Sequence, residues 1–420
     1  MKVGIVGAGP AGSLCGSILS QVGCDVLLFD YHGAWEKPCG GGVTTKALTR
    51  YPFLRESLEP YRNIKRIKVI SPRNAAVTVP LENSLHIYSR KVLNQILLDR
   101  AIASGASLQS ERVLDSRRQH SQWQLQTDKR TYQVDFLIGA DGVNSFVRKK
   151  VGEKYVAEDL MMTFGYRTQS EVEECIEIKF FPKFLGYLWV FPRPNHVSFG
   201  ICGRLSQHNT QTLKRLLHEF MDAYKNYGGK NNPSANREVK KDKSEDQQTK
   251  QGESDPSGRL AAELREVYGA LIPSLRPQTF RKNKVYGEGW ALLGDAAGFV
   301  DPITCEGIYF ALRSGELLAQ ALVEGRPASY PKACEEDFAA DFIYGAELFE
   351  KFYTGHFLGS DFITRMVQTT SRSNALQRVM NAFVAGKQNY QSLRSELARK
   401  SPRILLELMS SALGEKTAIG

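Results

Sequence analysis

The first stretch of alternation and apolar runs along the chain reads as a β-α-β unit: Lys2–Val6 is a short apolar strand, Pro10–Val22 a helix, and Asp25–Phe29 (DVLLF) a second strand. Residues 64 to 81 alternate and are broken by SPRN, which predicts a hairpin belonging to another sheet. Arg90–Ala103 carries apolar residues at helical spacing, and strands are expected at Ser107–Leu114, Trp123–Thr127 and Thr131–Ile138. From Met161 to Leu205 the segments ECIEIKFF, YLWVFPR and HVSFGICGR are separated by PKFLG and PRPN, the pattern of an antiparallel sheet. Helices are predicted over Leu213–Tyr227 and Arg259–Leu271, a strand at Trp290–Leu293, and a helix from Gly307 to Leu322. Beyond Pro331 the pattern is helical throughout, with Phe338, Phe342, Phe349, Phe352, Tyr353, Phe357 and Phe362 at helical spacing.

These elements divide the 420 residues into a first α/β domain over 1–160, an antiparallel domain over 161–285 to which the 64–81 hairpin is added, a return to the first domain over 286–330, and a helical region over 331–420. Residues 229–258 are polar and charged without aromatics and are expected to be a disordered insertion. The fold class is therefore α/β: a Rossmann-like domain, a second antiparallel-sheet domain and C-terminal helices.

Composition changes this picture little. An apolar share of 42% without a long apolar run argues against a membrane span. MKVGIVGAGPAG begins directly on a strand and turn, so secretion is not expected. Seven scattered cysteines and seven histidines without ligand spacing predict neither disulfides nor a metal, and fit a reducing cytoplasm. The net charge of +10 invites nucleic acid or an anionic membrane as a partner. The charge is diffuse, with no basic block interleaved with aromatics, so nucleic-acid binding is not expected and attraction to lipid headgroups stays open. Within 229–258 the charges balance, so the insertion is not the source of the excess.

Chemistry enters with Gly7-Ala8-Gly9-Pro10-Ala11-Gly12, set between the first strand and helix, with Asp30 ending the second strand. Gly7 permits a tight turn, Gly9 lets a pyrophosphate approach the backbone, Gly12 permits close helix packing, and Asp30 is a candidate ribose acceptor. Two later segments, Ile138 to Arg148 around Asp141-Gly142 and Gly294-Asp295-Ala296-Ala297, resemble the two further motifs of p-hydroxybenzoate hydroxylase-type flavoproteins. That resemblance, covering most of residues 1–325, implies FAD, with Asp295 at the ribityl chain, the Asp141 segment near the pyrophosphate, and Arg90 and Val113 as further contacts.

Lys37-Pro38-Cys39-Gly40-Gly41-Gly42, Tyr187-Leu188-Trp189-Val190-Phe191-Pro192 running on to Gly200, and the 294–312 segment resemble the geranylgeranyl reductase branch. The resemblance implies Cys39, Gly40 and Gly42 beside the flavin ring, and Tyr187, Trp189, Phe191 and Pro192 lining an isoprenoid cavity. It also places Gly307 and Ile308, at a helix start, against the pyrimidine end of the ring, where the helix dipole favours the reduced anion. Cys305 stands where the branch has glycine. Cys39 and Glu306 are candidate proton donors, a structural role for Cys39 being the alternative. The expected activity is reduction of carbon-carbon double bonds of a geranylgeranyl-type lipid, with NADPH or a reduced ferredoxin-like protein as electron donor. A flavin monooxygenase of a hydrophobic substrate is the leading alternative, ahead of a halogenase or a non-catalytic FAD protein at a membrane surface.

Overall fold

The architecture is taken from a computed structural model, which describes residues 1–152, 154–169, 172–228, 264–357, 359–387, 389–393, 395 and 399. The expected insertion at 229–258 lies outside the described residues. One sheet has six strands in the order Tyr286–Gly287, Trp290–Leu292, Phe136–Gly139, Lys2–Val6, Asp25–Phe29 and Ser107–Gln109, all parallel apart from the first. Its central strands are near-continuous apolar runs because helices and a small second sheet cover both faces. The helices Pro10–Gln21, Arg90–Ala103 and Ile308–Val323 pack there, and the three-stranded sheet of Val113–Gln119, Gln122–Thr127 and Thr131–Val134 adds Leu125 and Val134.

The larger sheet has eight strands, in the order Leu264–Pro273, Leu160–Thr168, Val197–Arg204, Gly186–Pro192, Cys175–Lys179, Tyr61–Ile70, Ala76–Tyr88 and Gly42–Val43. The hairpin read at 64–81 is thus part of this sheet, with strands longer than expected at both ends. The side-chain period of two splits its residues between two cores. Leu188, Val190, Phe199 and Ile201 pack against Leu213, Leu217 and Met221 of the helix Thr210–Gly228. The opposite face carries Ile67, Val69, Ile176 and Trp189 against Phe349, Tyr353, Ile363 and Val367 of the C-terminal helices Ala340–Thr354 and Phe362–Thr370.

Four local expectations are corrected. The segment read as a helix over Arg259–Leu271 forms the edge strand Leu264–Pro273 instead, hydrogen-bonded along Leu160–Thr168. Ala, Leu, Glu and Arg favour a helix there, but pairing alternates buried Tyr268 with exposed Val267, and tertiary context overrides propensity. The single strand expected over Ser107–Leu114 is two strands in two sheets, Ser107–Gln109 and Val113–Gln119, and the one expected over Thr131–Ile138 is likewise split into Thr131–Val134 and Phe136–Gly139. The C-terminal region is not wholly helical, since His356–Phe357 and Ser360–Asp361 pair as a short hairpin turning at Gly359 (φ +73°). Among the described residues no helix is long and apolar enough to cross a membrane.

Candidate active site

The loop after the first strand is built by steric exclusion. Gly7 has φ +103°, and a Cβ on it would lie 2.3 Å from the Ala140 carbonyl oxygen; one on Gly12 would lie 2.0 Å from the Gly7 oxygen. Only glycine lets the helix Pro10–Gln21 start this close to the strand. Gly9 differs, because a Cβ there would meet nothing within 4 Å. It lines a cavity of about 1800 Å³, onto which the helix N-terminus opens with its free N–H groups and positive dipole end. Asp30 closes the loop by accepting from the Ala8, His32 and Gly33 N–H groups at 2.9, 2.9 and 3.0 Å.

Asp141 is committed locally: Ser145 Oγ donates to it at 2.5 Å and the Phe146 N–H at 2.6 Å, fixing the start of the helix Phe146–Val151. Gly142 beside it has φ +78° and open space where a Cβ would stand. Asp295 accepts from Lys37 Nζ at 2.8 Å; burial opposes its charge, yet the Lys37 ammonium holds the carboxyl below its ordinary range. Arg90 is 4% exposed, donates to Asn94 Oδ1 at 3.2 Å, and keeps a buried Nε without a hydrogen-bond partner. Gly9, Asp141, Gly142, Asp295 and Arg90 all line the same cavity. A glycine cradle open at Gly9 and an orphaned guanidinium N–H are features that fit a dinucleotide with its phosphates on the helix N-terminus.

The Lys37–Gly42 loop is tied down by Arg193, whose side chain is fully buried and donates to Glu36 Oε1 and to the Cys39 carbonyl. Glu36 also accepts from Ser89 Oγ and from the Arg90 and Lys91 N–H groups. Burial opposes ionisation of Glu36, and Arg193 with these donors overrules it, lowering the carboxyl to about 2. The same cations act on Cys39. Burial pushes its thiol up, while Arg90, the Gly41 N–H and Arg193 together bring it below the ordinary thiol value. Arg90→Gln is therefore expected to slow iodoacetamide labelling of Cys39 in flavin-free protein at pH 7 several-fold, because less thiolate remains; unchanged labelling would contradict this electrostatic account.

Across the cavity runs the turn Asp301–Gly307, which three tyrosine hydroxyls hold. Tyr187 donates to the Thr304 carbonyl at 2.6 Å, Tyr353 to the Ile303 carbonyl at 2.6 Å, and Tyr390 to both Asp301 oxygens at 2.8 Å. Cys305 has φ +59°, the left-handed region that favours glycine, so the departure noted in the sequence carries backbone strain. Glu306 Oε1 accepts from Thr44 Oγ1 at 3.0 Å. Burial raises its carboxyl to about 7, Asp301 adding to the effect and Thr44 and Lys46 opposing it. An acid of that strength is partly protonated at neutral pH and can both release a proton and recover one. Gly307 caps the helix that Ile308 begins, and both line the cavity.

From these residues the cavity continues along one face of the large sheet, past Ile67, Val69, Ile176, Trp189 and Phe191, and under Phe352, Met366, Met380 and Phe383 of the C-terminal helices. One volume thus joins the glycine loop to an apolar tunnel.

Comparison with known proteins agrees with this layout. The family described as FAD binding domain matches residues 1–325. The chain belongs to that family. Among relatives, the chloroplastic geranylgeranyl diphosphate reductase of Arabidopsis thaliana is 29% identical over 354 residues, covering 77% of this chain and 66% of that protein. The chain therefore spans about two thirds of the length of such plant relatives. Geranylgeranyl diphosphate reductase of Synechocystis sp. is 26% identical, over 77% of this chain and 75% of that protein, and digeranylgeranylglycerophospholipid reductase 2 of Methanopyrus kandleri is 24% identical, over 81% and 83%. Among solved structures, a geranylgeranyl bacteriochlorophyll reductase-like protein from Thermoplasma acidophilum superposes with a TM-score of 0.73 at 20% identity, covering 95% of this chain and 98% of that one. A flavin-dependent brominase superposes at 0.65 and 18% identity, over 96% and 99%. At these identities the superpositions show a shared fold.

Within this FAD binding domain chain, the cavity wall contains Gly7, Gly9, Pro10, Ala11, Asp30, Cys39, Gly40, Gly42, Val113, Gly294 and Asp295, with Tyr187, Trp189 and Phe191 further along. Two residues singled out from the sequence are not on that wall. Gly12 acts only through backbone packing, and Pro192 follows the two-residue alternation onto the sheet face of Leu188 and Val190. Glu36, Arg193 and Tyr390 do not stand out in the sequence, and Tyr353 stands out only as one of the C-terminal aromatics, since each acts through a contact distant in sequence. The acid before Lys37-Pro38-Cys39 and the arginine after Phe191-Pro192 adjoin the motifs, a signal available in hindsight.

Proposed function

We propose that this chain is an FAD-dependent oxidoreductase that reduces carbon-carbon double bonds of a geranylgeranyl-type isoprenoid or related lipid. The observation that carries the reading is the single cavity running from the glycine loop into an apolar tunnel. The names of the relatives support it. FAD, when bound and reduced by NADPH or a ferredoxin-like protein, would supply the hydride chemistry. Gly9, Arg90 and Asp295 would hold that cofactor, Arg193 and Glu36 fix the Cys39–Gly42 loop in the same cavity, and Glu306 would supply the proton to the second carbon. Cys39 lines the same cavity, and its lowered thiol makes it the weaker candidate for holding a proton ready. Trp189, Phe191 and the helices above them orient the chain and exclude water.

In this division of labour, residues 1–160 and 286–330 bind the cofactor, 161–285 with the 64–81 hairpin form the substrate wall, and the helices after 331 close it. Phe357 and Phe362, 55% and 37% exposed, also line the cavity, which supports entry of the lipid from a membrane surface. Mass spectrometry of products from geranylgeranyl diphosphate and from a digeranylgeranyl glycerophospholipid tests the reading: a gain of two hydrogens supports it, and a gain of one oxygen would favour a monooxygenase. A narrower tunnel provides a second check. Ile176→Trp is expected to lower kcat/KM for a geranylgeranyl substrate about tenfold while sparing a geranyl one; equal losses for both chains would place the substrate elsewhere.

A further inference from the structure

We propose that a small polar chamber behind Glu306 is the proton-delivery route of this site, so that solvent protons reach the double bond by a path separate from the one the lipid takes. The proposal rests on the reductase reading and adds to it a route and the residues that form it.

Each reduction consumes one proton. The hydride forms one C–H bond with its own electron pair; the π pair forms the second C–H bond as the Glu306 O–H breaks, leaving a carboxylate. That carboxylate must recover a proton from water before the next turnover. An isoprenoid filling the tunnel excludes water from the substrate side. Reprotonation then needs another way in.

The fold supplies one. A chamber of about 230 Å³ abuts the main cavity, and Thr304, Glu306 and Tyr390 belong to the walls of both. At roughly 30 Å³ per molecule it has room for several waters. Glu306 stands where the two spaces meet. Oε1 accepts from Thr44, a residue of the main cavity, while Oε2 lies 3.0 Å from where a Cβ on Gly386 would stand. Gly386 has φ +70° and lines the chamber, so its missing side chain leaves Oε2 open to that side.

Polar and charged groups line much of the chamber, beside the rings of Phe310, Phe338, Phe342 and Phe383. Asp301 forms its inner wall beside Glu306, with the Tyr390 hydroxyl bound to both Asp301 oxygens. Asp341, which accepts from the Tyr390 N–H at 3.0 Å, and half-buried Lys46, whose Nζ lies 4.3 Å from the Tyr309 ring centre, come next. Asp337 and Lys387 stand exposed at the rim. Of the charged groups facing Glu306, Asp301 adds to burial in favouring the protonated form and Lys46 favours the carboxylate, with burial the largest effect, which suits an acid that reloads near neutral pH.

Two variants test the route in the FAD-loaded protein: Lys46→Met, which removes a polar group from the chamber, and Lys387→Trp, which obstructs its rim. With reduced enzyme and geranylgeranyl diphosphate, the first turnover is expected within about twofold of wild type, because Glu306 is already loaded. Later turnovers are expected to slow about tenfold in at least one variant and to recover on adding imidazole. Unchanged later turnovers in both variants, or loss of the first turnover along with the later ones, would overturn the proposal. A readout without turnover separates it from the reductase reading. With the tunnel filled by phytanol, the infrared C=O band of the Glu306 acid, identified by its absence in Glu306→Gln, should exchange in D₂O more slowly in the variants than in wild type. Equal exchange would sink the route even if alkene reduction stands, and slowed exchange would uphold it even if no prenyl lipid is reduced.

Discussion

Glu306→Gln is expected to slow double-bond reduction about a hundredfold or more, the usual worth of a positioned acid, with FAD still bound. The amide keeps the volume and can still accept from Thr44 Oγ1, so the loss reports the missing proton rather than a disturbed turn. The pH dependence of the wild type follows from the same group. A carboxyl raised to about 7 is protonated below that value, so the rate should be full in mild acid and fall as pH rises through 7. Single-turnover rates from pH 5 to 9 measure this. A rate that rises across that range, or a glutamine variant at wild-type speed, would remove Glu306 from the chemistry.

The second large effect belongs to the glycine loop, where two neighbouring substitutions should fail in different ways. Gly12→Ala puts a methyl 2.0 Å from the Gly7 carbonyl oxygen, a backbone atom that cannot turn aside. The strand and helix must separate, at a cost of about 3 kcal/mol or more, and the protein should purify without flavin. Gly9→Ala meets no protein atom within 4 Å, so the chain should fold with wild-type stability. Its methyl points into the space assigned to the pyrophosphate, and FAD affinity should fall at least tenfold. Urea unfolding and flavin absorbance of the two variants separate packing from ligand approach. Normal FAD binding by Gly9→Ala would move the pyrophosphate away from this loop.

How far the sequence disclosed these features depended on the range of the interactions behind them. The glycine loop was legible because its logic is local: Gly7, Gly9 and Gly12 lie within one turn, and Asp30 ends the adjacent strand. The parallel strands Lys2–Val6 and Asp25–Phe29 and the helix at Ile308–Val323 were legible for the same reason, through periodicity. The strand Leu264–Pro273 was not, because its helix-favouring composition is overruled by pairing with a strand about a hundred residues earlier. Pro192 was assigned with its motif, although alternation sends it to the far face from Trp189. Glu306 was visible as a candidate acid, but its raised proton affinity comes from burial and Asp301, which only the folded turn creates. Arg193 and Tyr390 were silent for a related reason, each being defined by a partner 157 and 89 residues away. Position 305 is intermediate: a cysteine where glycine is expected signalled something unusual, and φ +59° identifies it as backbone strain.

The central claim is that the two electrons leave the protein for a prenyl double bond in the cavity joining the glycine loop to the apolar tunnel. Its most direct test is anaerobic. The FAD-loaded protein is reduced with dithionite, freed of excess reductant, and mixed with a geranylgeranyl lipid while flavin absorbance is followed and the product is weighed. The account predicts reoxidation without oxygen, matched by a lipid heavier by two hydrogens. Flavin that stays reduced with every prenyl lipid, and reoxidises only when oxygen is admitted, would contradict it.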